Sequence, residues 1–411
     1  MKFSRQAAPR RAARVVVAGW LACAASIALA GISDLPTPAS LGREIFFDTS
    51  LSASGRMACS TCHDPAFAHA PANALSVQLG GENLDVPGFR AVPSLRYVNF
   101  SLPFFFQADG TPTGGLTRDG SAATLVDQAR TPLLAAHEMA NVDVATVVDK
   151  LGLSEYAEDF RVLFGSDIFS KPDTAFLAAL YSLSAYELSA SEFHPFSSKY
   201  DLFLRGQIML SEQELRGYVL FNRPDKGNCA DCHPSTRQSD GTPPVFTDYT
   251  YDNLGVPRNP EIPANADLTY FDMGLCGPYR ADLAAQNQFC GQFKVPTLRN
   301  VVTRQAIFHN GYFHTLRKAI QFYVQRDTNA DKWYPLDADG VPQKFDDIPF
   351  PLDRNVNTAE APYNRQPGDA PALSDTEIDD VIAFLGTLED GYDPVTDTAD
   401  PARDMPPPPA D

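Results

Sequence analysis

The sequence has few basic residues. Its 33 lysines and arginines stand against 51 aspartates and glutamates, and the formal net charge at pH 7 is −18. A surface of this charge repels nucleic acids and anionic membranes, and it favours a basic protein partner. The composition therefore predicts that nucleic acid is not a partner of this protein.

Long hydrophobic runs are also scarce, and the one clear example lies near the N-terminus. An apolar stretch over residues 15–30 follows a basic start and ends in Ala28-Leu29-Ala30, a sequence suited to signal peptide cleavage. The stretch is shorter than the roughly 20 residues that a membrane span needs, which disfavours the alternative of an uncleaved anchor helix. Residues 1–30 are therefore predicted to be a signal peptide. The mature protein is expected to be periplasmic, with no stable membrane span.

Cysteine is rare, with seven residues in the chain, but four of them form one motif that occurs twice. The two copies are Cys59-Ser-Thr-Cys62-His63 and Cys229-Ala-Asp-Cys232-His233. Two cysteines separated by two residues and followed directly by histidine are typical of covalent haem attachment, in which the histidine binds the iron. A zinc site and a redox dithiol are the alternatives, but neither needs a histidine after each pair. The motifs predict two covalently bound c-type haems, with His63 and His233 as proximal ligands.

Three further cysteines lie outside these motifs. Cys23 falls within the predicted signal peptide, whereas Cys276 and Cys290 belong to the mature chain. In an oxidising compartment, an even pair this close in sequence is expected to form a disulfide rather than two free thiols. We predict that this disulfide anchors the loop around it.

Most apolar residues outside the motifs recur at helical spacing. Helices are predicted just before each cysteine motif and over residues 142–165 and 172–192, with two more beginning at Thr315 and Ser374 as N-caps. The 34 prolines and 26 glycines indicate long connecting segments, of which residues 238–268 are an example. The fold is therefore predicted to be mainly α with long loops.

The repetition of a helix followed by a cysteine motif suggests two related domains. Residues 31–200 and 201–390 are each predicted to form a cytochrome c-like haem domain, and the two are expected to pack against each other. Residues 391–411 are acidic and proline-rich and are predicted to form a mobile tail.

The region after the second motif carries a more specific signature. Phe293-Lys-Val-Pro-Thr-Leu-Arg-Asn-Val301 is followed by Phe308-His-Asn-Gly311, Thr315-Leu316 and Ala319-Ile320. This pattern resembles the C-terminal signature of the bacterial di-haem cytochrome c peroxidase/MauG family, and the resemblance covers residues 41–388. It implies a peroxidatic N-terminal domain that reacts with hydrogen peroxide and a C-terminal domain that transfers electrons. The expected donor is a small cytochrome, a cupredoxin or a protein substrate. A non-catalytic di-haem electron carrier is the alternative function.

The resemblance also suggests the sixth ligand of the second haem. Where the electron-relay peroxidases of the family have a methionine, seven residues after the leucine of Thr-Leu, this chain has Tyr323, as in the MauG-like branch. A tyrosine ligand lowers the reduction potential of haem iron, whereas a methionine raises it. Tyr323 is therefore the predicted ligand. The alternatives are that Tyr323 is a core residue, or that Met273 or His314 binds the iron.

For the first haem, the resemblance implies a distal pocket built from residues 128–139. Glu138 is the predicted proton shuttle, Gln128 an orienting hydrogen-bonding residue and Pro132 a pocket wall. Phe89 stands where many family members have a blocking histidine, so the iron face is expected to be open. His309 is predicted to be a haem-pocket residue. The other mature histidines are expected to be surface or second-layer residues: His69, His137 and His194.

Two positions depart from the family pattern. The family usually has Trp-Asp-Gly between the haems, whereas this chain has Arg118-Asp119-Gly120, which puts charge sharing between the haems in doubt. The family also implies one calcium ion between the domains, but Tyr97 replaces the usual asparagine ligand and Asn99 is out of register.

Overall fold

The computed structural model describes residues 35–396 of the chain. The predicted signal peptide and most of the predicted tail lie outside these residues. The fold described here is that of the compact unit that begins at Pro38. Within the described residues, no helix is long and apolar enough to cross a membrane.

Helices supply most of the regular structure. The α-helices between residues 38 and 396 are α1 Pro38–Phe47, α2 Cys59–Cys62, α3 Leu125–Leu134, α4 Val144–Leu153, α5 Ala157–Phe164, α6 Pro172–Ser189, α7 Lys199–Leu204, α8 Glu212–Phe221, α9 Cys229–Cys232, α10 Leu316–Gln325 and α11 Asp375–Gly386. The strands form antiparallel pairs: β1 Leu79–Gly80 with β2 Val86–Pro87, β3 Phe105–Phe106 with β4 Pro112–Thr113, and β5 Tyr251–Asp252 with β6 Phe293–Lys294. A mainly α fold is confirmed. The division into two packed haem domains stays a prediction.

Most of the predicted helices form where the sequence pattern indicates them. The side chains of Ser211, Thr315 and Ser374 accept backbone hydrogen bonds and begin α8, α10 and α11. The single helix predicted over residues 142–165 is instead two helices, α4 and α5. The backbone leaves helical geometry at Ser154, whose φ and ψ of −69° and 159° are extended.

Two close helix contacts organise the packing. Helix α1 lies against α6, where a Cβ on Gly42 would come within 1.9 Å of the Ser182 carbonyl oxygen. Helix α8 lies against α11 in the same way, and a Cβ on Gly217 would lie 1.9 Å from the Asp380 carbonyl oxygen. Only glycine permits so close an approach. The helix that leads into each cysteine motif is therefore held at a fixed depth on its neighbour.

Each of these helix pairs belongs to a separate hydrophobic core. The buried residues of the first core come from residues 41–193, and those of the second come from residues 200–388. The second core is rich in aromatic rings, with Tyr200, Phe221 and Phe246 all packed near Phe384. The two cores together place one cysteine motif beside each helix pair.

The two halves also share an unusual local backbone. The segments Pro93-Ser-Leu-Arg-Tyr97 and Pro296-Thr-Leu-Arg-Asn300 both end in a left-handed residue, with φ of 64° at Tyr97 and 59° at Asn300. Each is followed by a 3₁₀ helix, Val98–Phe100 or Val301–Thr303. Non-glycine residues seldom adopt this backbone, so its recurrence indicates that the second half repeats the first.

The close contact between α8 and α11 gives a test of the packing. Gly217→Ala is expected to lower the free energy of unfolding by about 1–3 kcal/mol, because the added methyl group meets backbone rather than a movable side chain. Gly386→Ala in α11 is the matched control, since nothing lies within 4 Å of a Cβ at that position. Denaturant unfolding of the purified proteins measures both free energies. Equal stabilities of the two variants would contradict this account of the packing.

Candidate active site

Each cysteine motif forms one helical turn that ends at its histidine. The backbone N–H groups of His63 and His233 donate to the carbonyl oxygens of Cys59 and Cys229, both at 2.9 Å. The backbone is nearly identical at the two histidines, with φ and ψ of −123° and 63° at His63 and −120° and 67° at His233. The four thiols are not in disulfides. Both turns therefore present two thiols and one imidazole in the same arrangement.

A second hydrogen bond orients each imidazole. Nδ1 of His63 lies 3.2 Å from the carbonyl oxygen of His69, and Nδ1 of His233 lies 2.8 Å from that of Phe246. A carbonyl oxygen only accepts, so Nδ1 carries the proton and Nε2 is left with its lone pair. Burial lowers the pKa of both histidines to about 4, which keeps them neutral. Both imidazoles are therefore ready to bind a metal through Nε2.

One cavity of about 850 Å³ runs past both motifs and is lined by all of their cysteines and histidines. Burial raises the pKa of Cys59 and of Cys229 to about 12, so these thiols are neutral. A cavity of this size, flanked by paired thiols and neutral imidazoles, suits haem.

Three half-buried cations line the same cavity without a carboxylate partner among residues 35–396: Lys294, Arg118 and Arg304. Burial lowers their pKa values to about 7, 9 and 10, respectively. Nη2 of Arg304 donates to the Val92 carbonyl at 2.5 Å, but its buried Nη1 has no partner. Buried cations are costly without a counter-ion. Haem propionates would supply the missing anions, so these residues fit the cofactor.

The predicted distal residues of the first haem line this cavity together. Gln128 and Pro132 are four residues apart in α3 and share one face of the helix. Glu138 follows in the next turn, where its backbone N–H donates to the Ala135 carbonyl at 2.9 Å. Its side-chain Oε2 is buried and has no hydrogen-bond partner. Burial raises the pKa of Glu138 to about 7.

Tyr323 lies in α10 beside the second motif. It lines the cavity, and its ring packs 5.4 Å from Phe308 and 6.0 Å from Tyr363. Burial and the neighbouring Cys232 and Cys229 raise the pKa of Tyr323. A phenolate at this depth therefore needs a positive partner such as a metal ion.

The rival ligands lie elsewhere. In the part of the chain that the structure describes, neither Met273 nor His314 lines the cavity. Nδ1 of His314 lies 2.9 Å from the Gln305 carbonyl oxygen, and its Nε2 lies 3.3 Å from the Glu261 carboxylate. Ligation by Tyr323 stays a prediction, as do the catalytic roles of Gln128, Pro132 and Glu138.

The internal repeat makes a position in helix α3 of the first half equivalent to a position in helix α10 of the second half. Thr124 caps α3 and Thr315 caps α10, and each is followed by leucine. Counting eight residues onward from each threonine leads to Pro132 in the first half and to Tyr323 in the second. Proline has no side-chain atom that can bind iron, whereas tyrosine has one. This equivalence could have been found by aligning the two Thr-Leu pairs in the sequence.

The same repeat pairs His309 with Arg118. Each lies two residues after the start of a short antiparallel bridge, Ile307 to Phe313 or Leu116 to Ala122. His309 lines the cavity and stacks on Phe293 at 3.5 Å, and its buried Nε2 has no hydrogen-bond partner. These contacts are consistent with the predicted haem-pocket role of His309.

Phe89 and the three histidines that are predicted to be surface or second-layer residues differ in their surroundings. Phe89 lines the cavity and packs 4.9 Å from the ring of His137. His69 is fully buried and supports His63 through its backbone, whereas His194 is half-buried. Sequence reasoning missed Lys294 and Arg304, because a basic residue in a loop has no pattern that distinguishes a buried cation from a surface one.

The surroundings of Tyr97 do not suit calcium. Its hydroxyl donates to Asp390 at 2.7 Å, and the guanidinium of Arg299 lies 4.9 Å from its ring centre. Arg96 pairs with the same Asp390 at 3.2 Å. Among the described residues, no group of three or more histidines, cysteines, aspartates and glutamates could hold a metal ion. Two arginines thus already supply the positive charge at this position.

The other predicted cysteine pair forms a disulfide. Cys276 and Cys290 are bonded and buried, and they close the segment that precedes β6. The predicted disulfide is confirmed.

Comparisons with known proteins agree with this geometry. The sequence model of the di-haem cytochrome c peroxidase family matches residues 36–209. The methylamine utilization protein MauG of Paracoccus denitrificans is 33% identical over 400 residues, which cover 93% of this chain and 99% of MauG. A cytochrome-c peroxidase of Denitromonas iodatirespirans is 29% identical over 74% of this chain and 78% of its own. The crystal structure of the diheme peroxidase BthA from Burkholderia thailandensis is similar, with a TM-score of 0.79 and 38% identity over 87% of this chain and 86% of BthA. The chain therefore belongs to the di-haem cytochrome c peroxidase/MauG family, an oxidoreductase family whose members carry two haems.

Proposed function

We propose that this chain is a periplasmic di-haem c-type peroxidase of the MauG-like branch. Hydrogen peroxide reacts at the haem of the His63 motif, and a protein donor delivers electrons through the haem of the His233 motif. The observation that carries the proposal is the difference between Pro132 and Tyr323 at equivalent positions. Proline leaves one iron face open for peroxide, whereas tyrosine closes the other.

Haem bound at these sites supplies iron that exchanges single electrons and, at the first site, an open position for peroxide. Glu138 accepts the proton that peroxide loses on binding and returns it to the oxygen that leaves as water. Its unpartnered, buried oxygen favours this role, because no other hydrogen bond competes for it. Gln128 orients the peroxide, and Pro132 keeps the face free of ligands.

Tyr323 serves the second haem differently. An anionic oxygen ligand stabilises oxidised iron and lowers the reduction potential. A haem held by His233 and Tyr323 would then supply one of the two electrons that the reduction of peroxide requires, and the donor would replace that electron. A small cytochrome, a cupredoxin or an oxidised protein side chain can fill the donor role.

The same proposal includes export and covalent attachment. The predicted signal peptide directs residues 31–411 to an oxidising compartment, where the Cys276–Cys290 disulfide is stable. Residues 31–200 then form the peroxidatic haem domain and residues 201–390 the electron-transfer domain. A non-catalytic carrier is disfavoured, because it has no use for a buried acid beside an open iron face.

Covalent attachment can be tested by removing one cysteine pair at a time. The double variant Cys59→Ala and Cys62→Ala should lose half of the haem that stays with the denatured chain, since only the second motif still forms thioethers. The double variant Cys276→Ser and Cys290→Ser is the matched control and should keep all of it. Acid–acetone extraction followed by a haem assay measures the retained haem. Full retention in the first variant would contradict covalent attachment at this motif.

The role of Glu138 predicts a pH dependence. With a pKa of about 7, raised by burial, Glu138 is protonated below neutral pH and cannot accept a proton. The rate constant of the diferric protein with hydrogen peroxide should therefore rise with pH through about 7. Glu138→Gln should lower this rate constant about 100-fold and remove the rise.

Glu187 provides the control for this experiment. It is also buried and lines the same cavity, its Oε2 also lacks a partner, and burial raises its pKa to about 8. Glu187→Gln therefore makes the same chemical change outside the predicted distal pocket. Stopped-flow spectra of the haem measure the rate constant with hydrogen peroxide for each variant. It should fall in Glu138→Gln and stay near the parent value in Glu187→Gln. Equal rates for Glu138→Gln and the parent protein would refute the assignment.

Tyr323 gives a spectroscopic test. Tyr323→Met should raise the reduction potential of the second haem, because a thioether stabilises reduced iron. The diferric variant should then fail to form a long-lived oxidised species with peroxide. Tyr363→Phe, whose ring lies 6.0 Å away, is the matched control and should keep the parent potential. Spectroelectrochemistry measures both, and an unchanged potential in Tyr323→Met would exclude ligation by Tyr323.

A further inference from the structure

Two tyrosines pack beside Phe89, near the predicted distal pocket of the first haem. Tyr279 lines the cavity and is 41% exposed, and its hydroxyl lies 2.9 Å from that of Tyr270. The ring of Tyr279 lies 5.2 Å from that of Phe89, which packs 4.9 Å from His137, the neighbour of Glu138 in the chain. A continuous series of aromatic rings therefore joins the predicted distal pocket to the protein surface.

Tyr279 is held firmly for an exposed residue. The guanidinium of Arg90 lies 4.9 Å from the Tyr279 ring centre. Arg90 is itself fixed by two hydrogen bonds to Asp272, at 2.6 and 2.7 Å, and by one to Asp119 at 2.7 Å. The adjacent Arg280 is buried and donates to the Asp119 carbonyl at 2.9 Å. A tyrosine whose only role is to contact solvent would not need an arginine, itself fixed by two aspartates, against its ring.

We propose that Tyr279, hydrogen bonded to Tyr270, is a surface oxidation site at which small phenols deliver electrons to the first haem site. This route is separate from the protein donor at the second haem. The inference rests on the proposed reaction of hydrogen peroxide at the His63 motif.

The chemistry at Tyr279 balances in single-electron steps. Burial and the bond to Tyr270 raise the pKa of Tyr279, so its hydroxyl is neutral and must release a proton when it is oxidised. The electron crosses the Phe89 ring to the site that peroxide would have oxidised, and the proton leaves to water on the exposed side. Solvent supplies one proton to the first haem site for each electron that arrives there. The tyrosyl radical then takes a hydrogen atom from a phenol. Two such steps convert one hydrogen peroxide and two phenols into two waters and two phenoxyl radicals.

The chemistry of this site selects the substrate class. A tyrosyl radical takes hydrogen atoms readily only from donors whose O–H bonds are about as weak as its own, and electron-rich phenols meet that condition. The exposed face of Tyr279 and the neighbouring Tyr270 ring also offer aromatic surface against which a phenol can stack.

The test uses the haem-loaded protein, hydrogen peroxide and 2-methoxyphenol. Tyr279→Phe removes the hydroxyl and keeps the ring, and it should lower the rate of phenol oxidation by about tenfold or more. Tyr270→Phe should also lower the rate, because it removes the partner hydroxyl. Tyr181→Phe is the matched control, since Tyr181 is 53% exposed on α6 and should not affect the rate.

A second measurement separates this site from a general effect on folding. Rapid freezing after peroxide addition, without phenol, should trap a tyrosyl radical signal in electron paramagnetic resonance spectra. The signal should be lost in Tyr279→Phe and kept in Tyr181→Phe.

The change in the haem spectrum on peroxide addition is recorded for every variant. If the parent protein shows no such change, the proposed function and this inference both fail. If peroxide reacts but Tyr279→Phe keeps the radical and the phenol rate, this inference alone is overturned.

Discussion

The hydrogen bond between the histidine of each cysteine motif and a backbone carbonyl is the interaction on which both halves of the molecule depend. The carbonyls belong to His69 and Phe246, whose φ values of 53° and 54° place both residues in the left-handed region. Non-glycine residues adopt this backbone at a cost of about 1–3 kcal/mol, so the surrounding chain must hold them there. The carbonyls held in this way fix each imidazole as the tautomer whose Nε2 is free to bind a metal. The turn that follows each motif is therefore as important for binding the metal as the cysteines are.

Function arises from side-chain changes on this repeated frame. Gly120 and Gly311 share a φ of 66°, and the residues three positions earlier, Thr117 and Phe308, share a φ of 70°. The backbone that presents the opposite face of each haem site is thus nearly the same in both halves. In the proposed function, the difference between a closed and an open iron face would depend on one side chain at equivalent positions, Tyr323 or Pro132. A duplicated fold can in this way separate peroxide chemistry from electron entry without a change in architecture.

Helices and cysteine chemistry could be predicted from the sequence because both depend on local patterns. Serine and threonine caps, apolar spacing and the Cys-x-x-Cys-His motif act within a few residues. The break at Ser154 could not be predicted, because the apolar spacing continues on both sides of it. The partial burial of Arg304 and Lys294 beside the cavity was also missed, since burial depends on contacts between distant segments. Arg304, for example, donates to Val92, 212 residues away in the chain.

The two motifs differ in the charged groups around them, as they do in the residues at the equivalent positions 132 and 323. After burial, the groups that raise the pKa of the Cys232 thiol are carboxylates from four places in the sequence: Asp248, Asp252, Asp231 and Glu360. At the first motif two carboxylates act after burial: Glu138 raises the pKa of both Cys59 and Cys62, and Glu187 also raises that of Cys59. Negative charge near a metal stabilises its more oxidised state. The carboxylates and the predicted Tyr323 ligand therefore act in the same direction at the second haem. In the proposed function, these charges would favour oxidation at the second haem, which would receive electrons from the donor.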